Sequence, residues 1–506
     1  MPEHPSTIDQ LVRLRAAEHG PKPMVIDPDT RISYAELDTT TSELAAALID
    51  AGVGKGTRVG LIMPNSVRWV QIAVALTRVG AVLVPLSTLL QAPELVAQLR
   101  VASVQFLIAV KEFRGHRYLD DVRDERAQLP ALRQVWTPEE LRPVADYEGV
   151  EAMAATVTAA DTLVVMFTSG SSGPPKGVIH SHGNALGAVQ SGLAARCIDA
   201  DTRLYLPMPF FWVGGFGSGI LSALLAGATL ITEEMPQPQT TLRLLERERV
   251  TLFRGWPDQA EALARQSNSV GADLSALRQG SLEALLPPDQ RAEPGARAKL
   301  FGMTEAFGPY CGYAADTDMP RSAWGSCGKP FDGTKVRIVD PDDGTPVPAG
   351  TVGVIQIRGP NTLRGICRRT REEVFTAEGF YPTGDLGHLD DDGFMFYHGR
   401  CDDMFKVSGA TVYPSEVEQA LRRIDGVDNA FVTDVSGTVA AVVVGETSVD
   451  HLRAAARKLL SSFKVPTVWL LVDSDDAIPR GVTGKVDVTE LRALLAEVGP
   501  RASRGT

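Results

Sequence analysis

Between Thr7 and Val110 short apolar runs alternate with amphipathic segments, and this alternation restricts the possible folds more than any other feature of the chain. Ile32-Ser33-Tyr34-Ala35-Glu36-Leu37 leads into a segment whose apolar residues Leu44, Ala47 and Leu48 recur at helical spacing until Gly52 stops it. Residues 58–63 read as a strand, Val67–Arg78 as a helix, 81–85 as a strand, Ala92–Val101 as a helix and 105–110 as a strand. Strands joined through helices run parallel, and a parallel sheet has to be covered on both faces. The expected fold class is therefore α/β, with doubly wound, mainly parallel sheets.

A chain of 506 residues exceeds one ordinary core, so more than one domain is expected. The composition, 44% hydrophobic and 22% charged, is that of a globular protein. A net charge of −12 argues against nucleic acid or an anionic membrane as the main partner, so a site for phosphate must carry its own local positive charge. Cys197, Cys311, Cys327, Cys367 and Cys401 form neither a C-x-x-C pair nor a zinc-spaced Cys/His cluster, which points to a reducing cytoplasm and no structural metal. The N-terminus lacks a signal-peptide pattern. The longest apolar stretches, 70–86 and 220–231, are broken by Arg78, Gly80 and Gly227, so no transmembrane segment is expected.

The chemistry concentrates in DTLVVMFTSGSSGPPKG, residues 161–177. Its first half reads as a buried strand. In its second half Gly170 and Gly173 free the backbone to turn N–H groups toward an anion, Thr168, Ser169, Ser171 and Ser172 add hydroxyls, and Lys176 supplies the charge. Together these residues form a phosphate cradle. It is not a Walker A loop, because Lys176 follows two prolines and lies outside the G-x-x-x-x-G-K-[ST] frame. A bare Gly/Ser linker is the alternative, but it would have no reason to sit between two apolar segments and end in a lone lysine.

TSGSSGPPKG resembles the phosphate-binding signature of adenylate-forming enzymes, the superfamily of acyl-CoA synthetases, firefly luciferase and peptide-synthetase adenylation domains, and ISYAELD is similar to its opening signature. The remaining motifs follow in that family's order. The aromatics of LYLPMPFFWVGGFG match its acyl-site segment, which implies an acyl pocket at Phe211, Trp212 and Gly214. Trp212 stands where the family often has His, and no Asp lies between Arg203 and Gly217 to hold a substrate amino group. LFGMTEAF resembles the Tyr-Gly-x-Thr-Glu motif. The resemblance implies Phe301, Gly302 and Met303 at the nucleotide, the Thr304 hydroxyl at the α-phosphate and Glu305 on Mg²⁺. Asp385 of the TGD loop would accept the ribose hydroxyls, and Arg400 would be a second ribose or phosphate contact.

The resemblance divides the chain into a large AMP-binding domain at 1–399 with a β-rich part near 336–358, a hinge at 400–403 turning about Asp402, and a small mobile α+β domain at 404–506. Ser408 and Gly409 would line a channel for coenzyme A, and Lys485 would serve adenylation. Departures from the pattern are Phe301, which lacks the phenol, Ser408 and Ala410, and Gly280-Ser281-Leu282 in place of the adenine-framing Gly-(Gly/Ala)-Ala-Pro turn. The implied activity is ATP-dependent, Mg²⁺-assisted ligation of a fatty or other apolar carboxylic acid to coenzyme A through an acyl adenylate. A fatty acyl-AMP ligase serving a separate carrier protein, and a nucleotide-binding homologue without turnover, stay open, as does the number of subunits, a homodimer included.

Overall fold

The structure is a computed structural model and describes residues 5–145, 147–168, 175–401, 405–407, 410–480 and 486–498. The described residues fall into two compact units. The first comprises Met1–Val336, Ile357–Tyr381 and Gly393–Met395, the second Arg337–Gln356, Pro382–Asp392 and Phe396–Thr506.

The expected alternation is present in the first unit. Strands Arg58–Ile62, Val82–Pro85, Phe106–Ala109, Gln134–Trp136 and Thr162–Thr168 pair in parallel. Lys176–Ser181 and Gly365–Ile366 then extend the sheet antiparallel, giving seven strands. A second sheet places Leu252–Phe253, Arg203–Tyr205, Thr229–Ile231 and Pro23–Ile26 in parallel, with Arg31–Ser33 antiparallel at its edge. A third, smaller sheet is the antiparallel set Phe301–Met303, Gly308–Gly312 and Lys329–Pro330.

The helices start where polar caps allow. Ser33 accepts from the backbone of Glu36 while the Glu36 carboxylate accepts from Ser33, a reciprocal box that opens Tyr34–Asp50. Ser66 caps Val67–Arg78 through Trp69 N. The Val67–Arg78 helix is enclosed in the main core with Trp69 and Ala73 at 0% exposure. Arg78 is equally buried, and a lone cation there would carry a large desolvation cost. It is instead neutralised by Asp9 at 2.7 Å and Asp38 at 2.9 Å.

In the second unit strands Asn429–Val435, Thr438–Val444 and Val468–Val472 form a mixed sheet covered by helices Pro414–Leu421, Val449–Leu459 and Val488–Val498. A four-stranded sheet in the order Lys335–Val339, Gly353–Arg358, Tyr381–Leu389, Met395–Arg400 lies mostly in this unit as well. The sequence reading puts 337–356, 382–392 and 396–399 in the large domain, whereas the compact units group them with the C-terminal segment. Among the described residues no helix is long and apolar enough to cross a membrane.

Candidate active site

Strands Thr162–Thr168 and Lys176–Ser181 form the two arms of an antiparallel hairpin in which Thr168 faces Lys176. Ser169, Gly170, Ser171, Ser172 and Gly173 lie between them, outside the described residues. Side chains alternate along a strand, so Lys176 and His180 lie on one face, and both reach the turn Thr304–Ala306. Lys176 Nζ lies 2.5 Å from Glu305 Oε1. His180 Nε2 lies 2.8 Å from the Thr304 carbonyl oxygen, and its Nδ1 lies 2.8 Å from the Asn184 amide. Burial pushes the His180 imidazole down to about 4. It is therefore neutral at pH 7, with Nε2–H donating to Thr304 and Nδ1 accepting from Asn184.

The turn itself is set by a tight hairpin. Gly302 pairs with Pro309, and an added Cβ at Gly302 would sit 2.2 Å from the Gly308 carbonyl oxygen. Phe307 adopts a left-handed φ of 54°, closing the chain back on itself. Glu305 is only 4% exposed. Phe301 and Met303 are partly buried, and the Phe301 ring stands edge-on to Tyr310 at 5.6 Å.

The segment expected at the acyl site adjoins this hairpin. A Cβ at Gly217 would meet the Phe307 ring at 3.2 Å, and one at Gly308 would lie 4.0 Å from the Val213 side chain. Phe210 belongs to the core, with its ring 5.3 Å from Trp69. Phe211 is buried at 5% exposure, and Trp212 is partly exposed with its ring edge toward Trp256 at 6.3 Å. Gly214 lies against Met208, and the neighbouring Gly215 is the tighter position, since its Cβ would lie 2.1 Å from the Pro209 carbonyl. Segment 280–282, which replaces the adenine turn, runs beside Leu252–Phe253, with Leu282 N donating to Phe253 O and Phe253 N to Ser281 Oγ.

In the second unit the structure brings Asp385 and Arg400 together. Arg400 Nη1 lies 2.9 Å from Asp385 Oδ1 and also donates to the Thr383 carbonyl. Gly384 takes φ 75°, and its missing Cβ leaves room for the guanidinium. Asp402, Ser408, Gly409 and Lys485 lie outside the described residues.

Two residues not singled out from the sequence also belong to the site. His180 holds the Thr304 carbonyl, and Tyr381 contacts both Lys176 and Glu305. The spacing signal for His180 was its position four residues after Lys176 in a strand. Tyr381 gave none beyond its place two residues before Thr383.

The sequence family described as AMP-binding enzyme matches residues 12–367. The chain is 33% identical to the 3-[(3aS,4S,7aS)-7a-methyl-1,5-dioxo-octahydro-1H-inden-4-yl]propanoyl:CoA ligase of Mycobacterium tuberculosis, over 97% of this chain and 98% of that protein. It is 32% identical to feruloyl-CoA synthase of an Amycolatopsis species, over 92% of this chain and 94% of that protein. Its fold is similar to that of ATP-bound MatB from Rhodopseudomonas palustris, with a TM-score of 0.80 at 23% identity, covering 97% of this chain and 99% of that one. With that family model spanning more than half of the chain and a 33% identical relative matched over nearly all of it, the chain belongs to the AMP-binding enzyme family.

Proposed function

We propose that the chain is an ATP-dependent acid–thiol ligase that activates an apolar carboxylic acid as its acyl adenylate and passes the acyl group to coenzyme A. The observation that carries this reading is the convergence of Lys176, Thr304 and Glu305 at the ends of the loop-bearing hairpin, with Lys176 Nζ and Glu305 Oε1 2.5 Å apart. A carboxylate is a poor electrophile. Attack on the α-phosphate of ATP turns its oxygen into a leaving group and releases pyrophosphate, after which a thiol displaces AMP. Lys176 offsets charge on the phosphates in the first step. The Thr304 hydroxyl and the Thr168–Gly173 loop hold the phosphates, Phe301 offers the adenine a ring face, and Asp385, fixed by Arg400, accepts the ribose hydroxyls.

A magnesium ion is commonly held by one or two carboxylates together with substrate phosphates. Glu305 offers one buried carboxylate at the place where the phosphates would lie, so the residues fit such an ion, which when bound supplies charge neutralisation. Lys485 joins during adenylation. Rotation about Asp402, within a hinge at 400–403 between domains 1–399 and 404–506, then exchanges it for the Ser408-Gly409 channel that admits the thiol. The cysteines form no disulfide among the described residues, which suits a reducing cytoplasm.

Phe211, Trp212 and Gly214 make the acyl site apolar. The two relatives are named for ring-bearing acids, which agrees with an aromatic-walled site. The test is a panel of ring-bearing and straight-chain acids with ATP, Mg²⁺ and coenzyme A, scored for pyrophosphate, AMP and thioester, on the wild type and on Trp212→Ala. The wild type should form thioester with at least one ring-bearing acid. Trp212→Ala should shift the acid preference while the KM for ATP holds. Acyl-AMP accumulating with coenzyme A unconsumed would reject the thiol acceptor, and a variant altered only in stability would place Trp212 in the core.

A further inference from the structure

The strand Tyr381–Leu389 begins with a tyrosine whose ring is buried at 6% exposure and whose hydroxyl ends between Lys176 and Glu305. Tyr381 Oη donates to Glu305 Oε1 at 2.8 Å and accepts from Lys176 Nζ at 2.6 Å, and Lys176 Nζ lies 2.5 Å from the same Oε1. The three polar atoms close a triangle. The ammonium lies at the hydroxyl end of the ring, 5.3 Å from the ring centre. The phosphate-binding lysine and the metal-binding carboxylate of the proposed function are thus each other's partners before any ligand arrives.

This arrangement has a consequence for binding. A nucleotide without metal would meet a lysine that is already neutralised and a carboxylate beside it. A magnesium ion without nucleotide would meet a carboxylate with an ammonium against it. Only the two together replace one ion pair by two, with Lys176 on phosphate and Glu305 on metal. The tyrosine hydroxyl donates to Glu305 in either state, so it keeps the carboxylate aimed while the lysine leaves.

Resting on the nucleotide site assigned above, we propose that Tyr381 is a positioning residue that locks the Lys176–Glu305 pair, and that this lock makes ATP and magnesium bind interdependently. Removing the hydroxyl costs the empty site two hydrogen bonds and the ATP-bound, metal-free site only one. Tyr381→Phe should therefore bind ATP more tightly than wild type in chelator, and in magnesium this gain should be offset because Glu305 is no longer aimed at the ion. Glu305→Gln should do the same to a greater extent, because it removes the ion pair and the metal ligand together.

The experiment is calorimetric titration of ATP into the full chain, in EDTA and in MgCl₂, with no acid or coenzyme A present, so that binding is read without turnover. The Kd in EDTA should fall by about tenfold in Tyr381→Phe, the scale of one hydrogen bond to a charged group, and the ratio of the Kd in EDTA to the Kd in MgCl₂ should fall because the metal loses an aimed ligand. It should fall further in Glu305→Gln. Thermal midpoints check that each variant folds, and if Tyr381→Phe does not, tighter binding in EDTA by Glu305→Gln reads the locked Lys176–Glu305 pair without it. An unchanged ratio in the folded variants, or weaker binding than wild type in EDTA, overturns the lock and leaves the nucleotide site standing. Failure of the wild type to bind ATP under either condition overturns the site, and the lock with it.

Discussion

Gly302 shows how closely the 301–312 hairpin is built. In sequence it reads as a glycine that lets a nucleotide approach. In the structure the close neighbour is the facing strand, because an alanine Cβ there would lie 2.2 Å from the Gly308 carbonyl oxygen. Backbone cannot swing aside as a side chain can, so Gly302→Ala should cost about 1–3 kcal/mol in a denaturant melt, the usual range for overpacking. ATP affinity should fall with it, since Thr304 and Glu305 follow in the same turn. At Gly214 the added carbon would meet the sulfur of Met208 at 2.8 Å, the flexible end of a side chain, so Gly214→Ala should destabilise the protein less. Equal costs at the two positions would contradict this reading. Other residues were legible from type and order alone. Lys176 lies against Glu305, the neighbour of Thr304, and Asp385 lies against Arg400, while their roles on phosphate, metal and ribose are those proposed above. Arg78 was read as an interruption of an apolar run, and its partners Asp9 and Asp38 lie 69 and 40 residues away, beyond what local pattern reveals.

At the scale of elements, Val67–Arg78 and Ala92–Val101 keep the bounds read from the sequence, and the strands between 58 and 110 shift by a residue at their ends. Periodicity and polar N-caps agree there, and Gly80 follows the first helix, so local signals suffice. The direction of Lys176–Ser181 was not read, although the seven residues between Thr168 and Lys176 are too few for the crossover a parallel pairing needs. Residues 112–155 gave no pattern, because their elements are short and fixed by packing, as in the stacking of Trp136 on Phe106 at 5.1 Å. The Lys176–Ser181 strand and the helix His182–Ser191 that follows it carry a further consequence. Burial pushes both His180 and His182 down to about 4 from an ordinary 6.5. In the unfolded chain both take up a proton as pH falls through 6.5, while in the fold they do not. Stability should therefore decline as pH drops from about 6.5 toward 4 and should not rise on these groups' account above 6.5. A thermal melt series across that window should show the decline, and His182→Gln should make it shallower. A variant that follows the wild-type slope would remove His182 from the explanation.

At the scale of the whole molecule, the order of motifs from residue 161 to residue 485 carries more information than any one of them, and the family match over residues 12–367 agrees with it. The grouping of 337–356 and 382–392 with the C-terminal segment was not legible, because compactness is decided by contacts between distant stretches and motif order says nothing about those. What unites the site residues is one chemical claim, that a carboxylate oxygen attacks the α-phosphate of ATP. Isotope transfer reads that step directly. A substrate acid labelled with ¹⁸O in its carboxylate is incubated with enzyme, ATP, Mg²⁺ and coenzyme A, and the products are weighed by mass spectrometry. One ¹⁸O per turnover should appear in AMP, with none in pyrophosphate, alongside the acyl-CoA thioester. Label in inorganic phosphate accompanied by ADP, or thioester formed with unlabelled AMP, would contradict attack at the α-phosphate.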